Sequence, residues 1–199
     1  MPEMCQLSLS LDEVRSIKEQ VTHGASYAGR ISIGFAIRLI QLREKFGEDH
    51  QVLHEIDVLE GLARNSYSTK EATQFRPPLH PFWHKHFATS RHTIRNMGER
   101  WALGKAGNRD LSAMIEEVAA TYGDQPDLWP RLLVHRLVVG GLEERVAAKR
   151  MTGDWIIFAK HSGKNFYLDL SVHEEATHAD RLLEKLRLGS ACEFPFLFQ

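Results

Sequence analysis

WIIFAKHSGKNFYLDL, residues 155–170, decides the fold class. β-Branched and aromatic residues on either side of Ser162-Gly163-Lys164 mark two strands joined by a tight turn. Trp155, Ile157 and Ala159 alternate with Ile156 and Phe158, so the first strand is apolar on both faces, as in a strand covered from two sides. A lone hairpin is marginal in water and needs helices over it or a third strand beside it. The tail EFPFLFQ, residues 193–199, is the candidate for that strand.

Most of the remaining chain has helical periodicity. Ser10 and Glu13 form a capping box, and Leu11, Val14, Ile17 and Val21 follow at helical spacing as far as Gly24. A second helix places Ile31, Phe35, Leu39, Leu42 and Phe46 on one stripe and Gly34, Arg38, Gln41 and Lys45 on the opposite one, with Gly47 as its stop. A third runs from Asp49 to Ala63. Beyond the loop-forming pair Pro77-Pro78, helices are expected from Ser90 to Leu103, through Leu111 to Tyr122, and from a cap at Asp127 to a break at Gly140-Gly141. Two more are expected from Leu142 to Arg150 and through Ala176, Ala179, Leu183 and Leu186.

The expected class is α+β, predominantly helical, with a small antiparallel β-hairpin or sheet near the C-terminus. Residues 1–66 would form an N-terminal helical layer and 67–199 a helical and hairpin module, separate from the first or continuous with it.

A chain of 199 residues with 43% hydrophobic content can bury one ordinary core or two small ones. The longest apolar-rich run, Ile31 to Leu42, is too short to cross a bilayer, and no charged start followed by an apolar core opens the chain. A cytoplasmic protein with no membrane association is expected. Cys5 and Cys192 lie near opposite ends without partner spacing, which predicts two free thiols. Neither a phosphate loop, nor a dinucleotide glycine motif, nor a Gly-x-Ser-x-Gly elbow is present, so no cofactor is expected.

The net charge of -1 conceals segregation. From Arg76 to Arg109 seven basic residues face one acid, Glu99, whereas Asp110 to Asp127 holds five acids and no Lys or Arg. Either the basic stretch meets RNA or another anionic partner, or it folds back on the acids of its own chain.

Within that stretch, HPFWHKHF at 80–87 concentrates chemistry. On a strand, His84 and His86 share one face while Trp83, Lys85 and Phe87 share the other. Two imidazoles can divide proton donation and abstraction near neutral pH, the work that attack of a ribose 2′-hydroxyl on its phosphate requires. Arg91 and Arg95 would hold the phosphate, Trp83 and Phe87 would stack on bases, and Lys160 and Tyr167 would support from the hairpin. This pattern predicts a nucleic-acid-engaging protein, most concretely a metal-independent ribonuclease of toxin or defence type.

Two alternatives stand beside it. A metal-dependent hydrolase would use His80, His84 and His86, with His92, Glu99 or His173 to complete the set. HEEATH, 173–178, does not supply a zinc-protease pair, because its histidines are five apart rather than four. The other alternative is a non-enzymatic interaction module in which the histidine cluster is structural and the N-terminal helices meet a protein partner.

Overall fold

The computed structural model describes residues 8–64, 69–103, 108–172 and 175–199. At its centre is a four-stranded antiparallel sheet with β1 (Thr73–Gln74), β2 (Trp83–Phe87), β3 (Asp154–His161) and β4 (Lys164–Ser171) in that order. Among the described residues eight α-helices surround it: α1 (Leu11–Val21), α2 (Ile33–Phe46), α3 (Asp49–Leu59), α4 (Thr93–Arg100), α5 (Arg109–Tyr122), α6 (Trp129–His135), α7 (Gly141–Ala147) and α8 (Ala179–Ser190). The α+β class is as expected.

The hairpin closes through Ser162 and Gly163, both at positive φ (49° and 74°), the backbone of a turn that matches strand twist. Its third strand, however, is not the tail. It is β2, the histidine segment, in which Trp83 pairs with Phe158 and Phe87 with Asp154. The tail turns into a short 3-10 helix, Pro195–Leu197, because Pro195 has no N–H for a ladder and its fixed φ suits a first helical turn.

Two apolar layers account for the two-sided hairpin. On one face Phe35 and Leu39 of α2 and Val52 and Ile56 of α3 pack with Phe87, Ile156, Phe158 and Tyr167, so the N-terminal helices and the sheet share one core. On the other, Leu182 and Leu186 of α8 join Phe194 and Leu197 of the tail over Trp155, Ile157 and Leu168.

Helix α2 is fixed to the sheet by its own cap. The Ser32 hydroxyl accepts the Phe35 N–H at 2.9 Å and donates to the Leu168 carbonyl at 2.6 Å, while the Ser32 N–H donates to the Tyr167 carbonyl at 2.9 Å. Ser190 of α8 reaches the same Leu168 carbonyl at 3.2 Å. The helices touch at two glycines: a Cβ on Gly34 would stand 3.2 Å from the Gly189 carbonyl oxygen.

Helices α4–α7 form a third cluster around Trp101, Met114 and Val118. Helix α6 begins at Trp129 behind Leu128, not at an Asp127 cap. Gly140-Gly141 does not break the chain either; a π-helical turn, Arg136–Gly140, leads directly into α7. The Trp101 indole explains both features, since its N–H donates to the Leu137 carbonyl at 2.7 Å and its ring fills the space where a Cβ of residue 141 would project. The cluster is tied to β3 by buried Asn96, whose amide donates to the Thr152 carbonyl at 2.7 Å and accepts the Thr152 N–H at 2.8 Å. Among the described residues no helix is long and apolar enough to cross a membrane.

Candidate functional site

The pleat of β2 separates the residues that the sequence grouped together. His84 and His86 are neighbours on the α8 face, with ring centroids 5.6 Å apart. The His84 ring lies between Phe75 and Trp155, each at 4.5 Å, and buried His86 places Nδ1 3.1 Å from the Gly153 carbonyl oxygen. Lys160 lies on the opposite side of the sheet, its ammonium 3.8 Å over the Trp83 ring. Phe87 belongs to the core there, which removes it as a base-stacking platform. Tyr167 is also buried on that side at 0% exposure, and its hydroxyl donates to Glu60 at 2.7 Å. Burial and the Glu60 carboxylate push that phenol far above its usual range, so it is a committed donor and not a proton shuttle. His84 and His86 are therefore not assisted by Lys160 or Tyr167.

Lys85 shows how β2 handles charge. The side chain is 3% exposed; its ammonium donates to the Thr69 hydroxyl at 2.5 Å and the Lys70 carbonyl at 2.7 Å, and lies 3.2 Å from Glu55, itself 0% exposed. Three further cations of the basic stretch, Arg91, Arg95 and Arg100, are also paired with acids. Arg91 donates to Glu48 at 2.5 Å and faces Asp154 at 3.4 Å, Arg95 pairs with Glu99 along α4, and Arg100 meets both Asp110 and Glu144. Arg91 and Arg95 thus turn to different partners and do not form one phosphate fork. Most of these acids come from outside the acidic run that follows in sequence. Lys105 and His173 lie outside the described residues, as does Cys5; Cys192 is an exposed free thiol. His80 sits in the turn before β2, and among the described residues no three His, Cys, Asp or Glu side chains are placed to hold a metal ion.

An open cleft lies elsewhere, between α2 and the end of the sheet where β4 finishes and β3 begins. Its volume is about 310 Å³. The floor is apolar, from Leu42 and Phe46 of α2, Phe87, Leu170 and Val172; the rim is Arg38, Gln41, Lys45, Arg91, Asp154, Ser171 and Glu175. Both rows of α2 contribute, which corrects the expectation that they oppose each other. At about 100° per residue, the row Gly34, Arg38, Gln41, Lys45 lies roughly a quarter turn from the apolar row, not half a turn. The apolar row also outruns the core: Phe46 is 43% exposed at the cleft.

The rim is electrostatically uneven. Arg91 is held by Glu48 and Asp154, and its guanidinium covers the Phe46 ring at 4.4 Å. Burial pushes the Glu48 carboxyl up, but hydrogen bonds from Arg91 and Ser90 outweigh this and hold it below the usual carboxylate range. Behind Asp154, His92 accepts the Thr89 N–H at Nδ1 (3.1 Å), which puts the proton of the neutral ring on Nε2, 3.4 Å from Asp154.

Arg38 is held loosely, 3.7 Å from Asp169 and 3.8 Å from Glu175. Both acids have a closer cation, Lys185, at 3.0 and 2.9 Å. Burial raises Asp169 despite that neighbour; for Glu175 burial is outweighed by Lys185 and Ser171, and its carboxyl lies low. Lys45, at the outer end of the row, places its ammonium 5.1 Å from the Phe46 ring and makes no ion pair among the described residues.

Comparison with known proteins returned no matching family model, no matching curated protein sequence and no matching solved structure. The site therefore rests on its own geometry. Arg38, Gln41 and Lys45 were visible in the sequence as a polar row beside an apolar one, but the rows were placed half a turn apart, which hid their common cleft. Asp154 is legible in the sequence only as a carboxylate framing the hairpin with Asp169, and Glu175 not at all as a rim residue, because only the packing of the sheet end against α2 brings them to the cleft.

Proposed function

We propose that the protein binds a small anionic ligand in the cleft beside α2. One observation carries the proposal: Lys45, without an ion pair among the described residues, and Arg38, held only at 3.7–3.8 Å by acids that have a closer cation, stand over an apolar floor in a cleft of about 310 Å³. Ligand pockets of this kind combine an apolar lining with a few polar groups that fix orientation, and this one lies at the small end of their range. Ligand titration of the melting temperature tests it, using inorganic phosphate, AMP, a short RNA and a medium-chain carboxylate. A ligand present at a hundred times its Kd stabilises by about 2.7 kcal/mol, a rise of roughly 5–10 °C for a chain this size. The double substitution Arg38→Glu, Lys45→Glu should abolish the rise without changing the unliganded melting temperature by more than a few degrees. A panel without any shift, or a shift that the double variant retains, refutes the proposal.

A second proposal, metal-independent RNA cleavage with His84 and His86 as acid and base, is supported by the adjacency of their rings on one face of β2. It predicts degradation of RNA in EDTA that His84→Ala abolishes. Intact RNA after prolonged incubation with the wild type refutes it.

A further inference from the structure

We infer that the ligand of the α2 cleft is an amphipathic monocarboxylate with an aliphatic body, an inference that rests on the anion-binding proposal above. Three features define it, beginning with charge. Lys45 brings one ammonium without an ion pair among the described residues, and Arg38 brings a guanidinium already shared with Asp169 and Glu175. Asp154 and Glu175 stand on the same rim. Arg91 already faces Asp154 at 3.4 Å and Lys185 meets Glu175 at 2.9 Å, so a phosphate monoester, with nearly two negative charges at neutral pH, would find one ammonium without an ion pair among the described residues and one shared guanidinium to offset it. A single carboxylate matches the available charge.

The floor defines the body. Leu42, Leu170 and Val172 are aliphatic, and Val172 is 42% exposed, an apolar surface that a ligand would remove from water. Of the two aromatic rings that line the cleft, Phe87 is buried and Phe46 already carries the Arg91 guanidinium at 4.4 Å and the Lys45 ammonium at 5.1 Å. A nucleobase finds no open ring to stack on, whereas an alkyl chain needs only contact with the aliphatic side chains.

Size sets the length. At about 310 Å³ the cleft suits a medium-chain acid with its carboxylate between Arg38 and Lys45 and its chain running toward Val172.

Isothermal titration of the full chain with butanoate, hexanoate and octanoate, all below their micelle concentrations, tests the inference. Each pair of methylenes should tighten binding by about fifteenfold where burial is complete, the transfer of two CH₂ groups from water. Lys45→Gln should weaken octanoate at least tenfold, and Val172→Asp, at an exposed position that leaves the core intact, should do the same through the floor. Parallel titrations with AMP and pyrophosphate distinguish carboxylate selectivity from anion binding in general. If these bind in a Lys45-dependent manner while the carboxylates show no chain-length dependence, the monocarboxylate inference is overturned and the anion-binding proposal stands. If no compound binds, or octanoate binds both variants as well as the wild type, both fall.

Discussion

On β2 the ammonium of Lys85 is enclosed by Glu55, Thr69 and the Lys70 carbonyl; on α2 the ammonium of Lys45 lies 5.1 Å from the Phe46 ring and makes no ion pair among the described residues. Both lysines belong to stretches dense in basic side chains, yet one closes a core and the other opens onto a cleft. A charged group removed from water must be paired and hydrogen-bonded to be tolerated, so the better a cation is satisfied internally, the less it has left for a ligand. Residue type alone places β2 first as a functional candidate. Surroundings place α2 first.

The comparison is broken most directly at Lys85. Lys85→Met leaves Glu55 charged and buried without its amine and should cost about 3–5 kcal/mol, read from urea unfolding. Replacing both, as Lys85→Met with Glu55→Leu, should recover much of that loss, because the pair is then exchanged for apolar contacts. A loss below about 1 kcal/mol for Lys85→Met would place that lysine with the exposed cations and remove the contrast.

Next in size is Gly153, which lies between the two regions: its carbonyl faces His86 and the next residue is Asp154. A Cβ there would overlap the Phe87 carbonyl oxygen, so Gly153→Ala should cost about 3 kcal/mol by pushing β3 away from β2. It should disturb both the histidine face and the cleft rim, visible as changed Trp155 fluorescence together with loss of any ligand-induced stabilisation.

Acid titration sharpens the contrast without mutation. Glu48, Glu60, Glu99 and Glu175 all have carboxyls held below the usual value of 4.5, so each contributes stability that is complete above that value and is lost as pH falls through the lower folded-state value. Asp169 runs the other way, since its raised value favours the protonated form in the folded chain and its contribution is lost as pH rises. Glu13, held low by the Ser10 backbone and hydroxyl, joins the other glutamates, and five against one predicts falling stability below about pH 4.5, measurable as a declining urea midpoint between pH 5 and 3, with a shallower decline in Glu48→Gln. The smallest effect belongs to the cleft itself. Lys45→Ala should change stability by less than about 0.5 kcal/mol, as expected of an exposed side chain without a close ion pair.

Much of the architecture was legible because it is local. The Ser10 capping box, the stop at Gly47 and the hairpin turn at Ser162-Gly163 each depend on neighbours within a few residues. The third strand was not, because HPFWHKHF satisfies both a helix and a strand pattern and only its pairing with β3 decides between them. Strand alternation correctly put His84 and His86 on one face and Trp83 and Phe87 on the other, but nothing local revealed that Lys160 and Tyr167 join the latter pair. The fate of Arg91 and Arg100 was equally non-local, set by Glu48, Asp154 and Glu144 from distant parts of the chain, whereas Arg95 pairs locally with Glu99.

The glycine contact between α2 and α8, with the serines that reach the β4 backbone, also governs how this protein can meet extended peptides. A strand approaching from that side would first have to pry two helices apart and displace Ser32 and Ser190 from carbonyls they already occupy. Among the described residues the opposite margin carries the two residues of β1 and a single bridge from Thr69 to Met151. Backbone-to-backbone recruitment, whether by a partner or in aggregation, is thereby steered to a single border of the sheet.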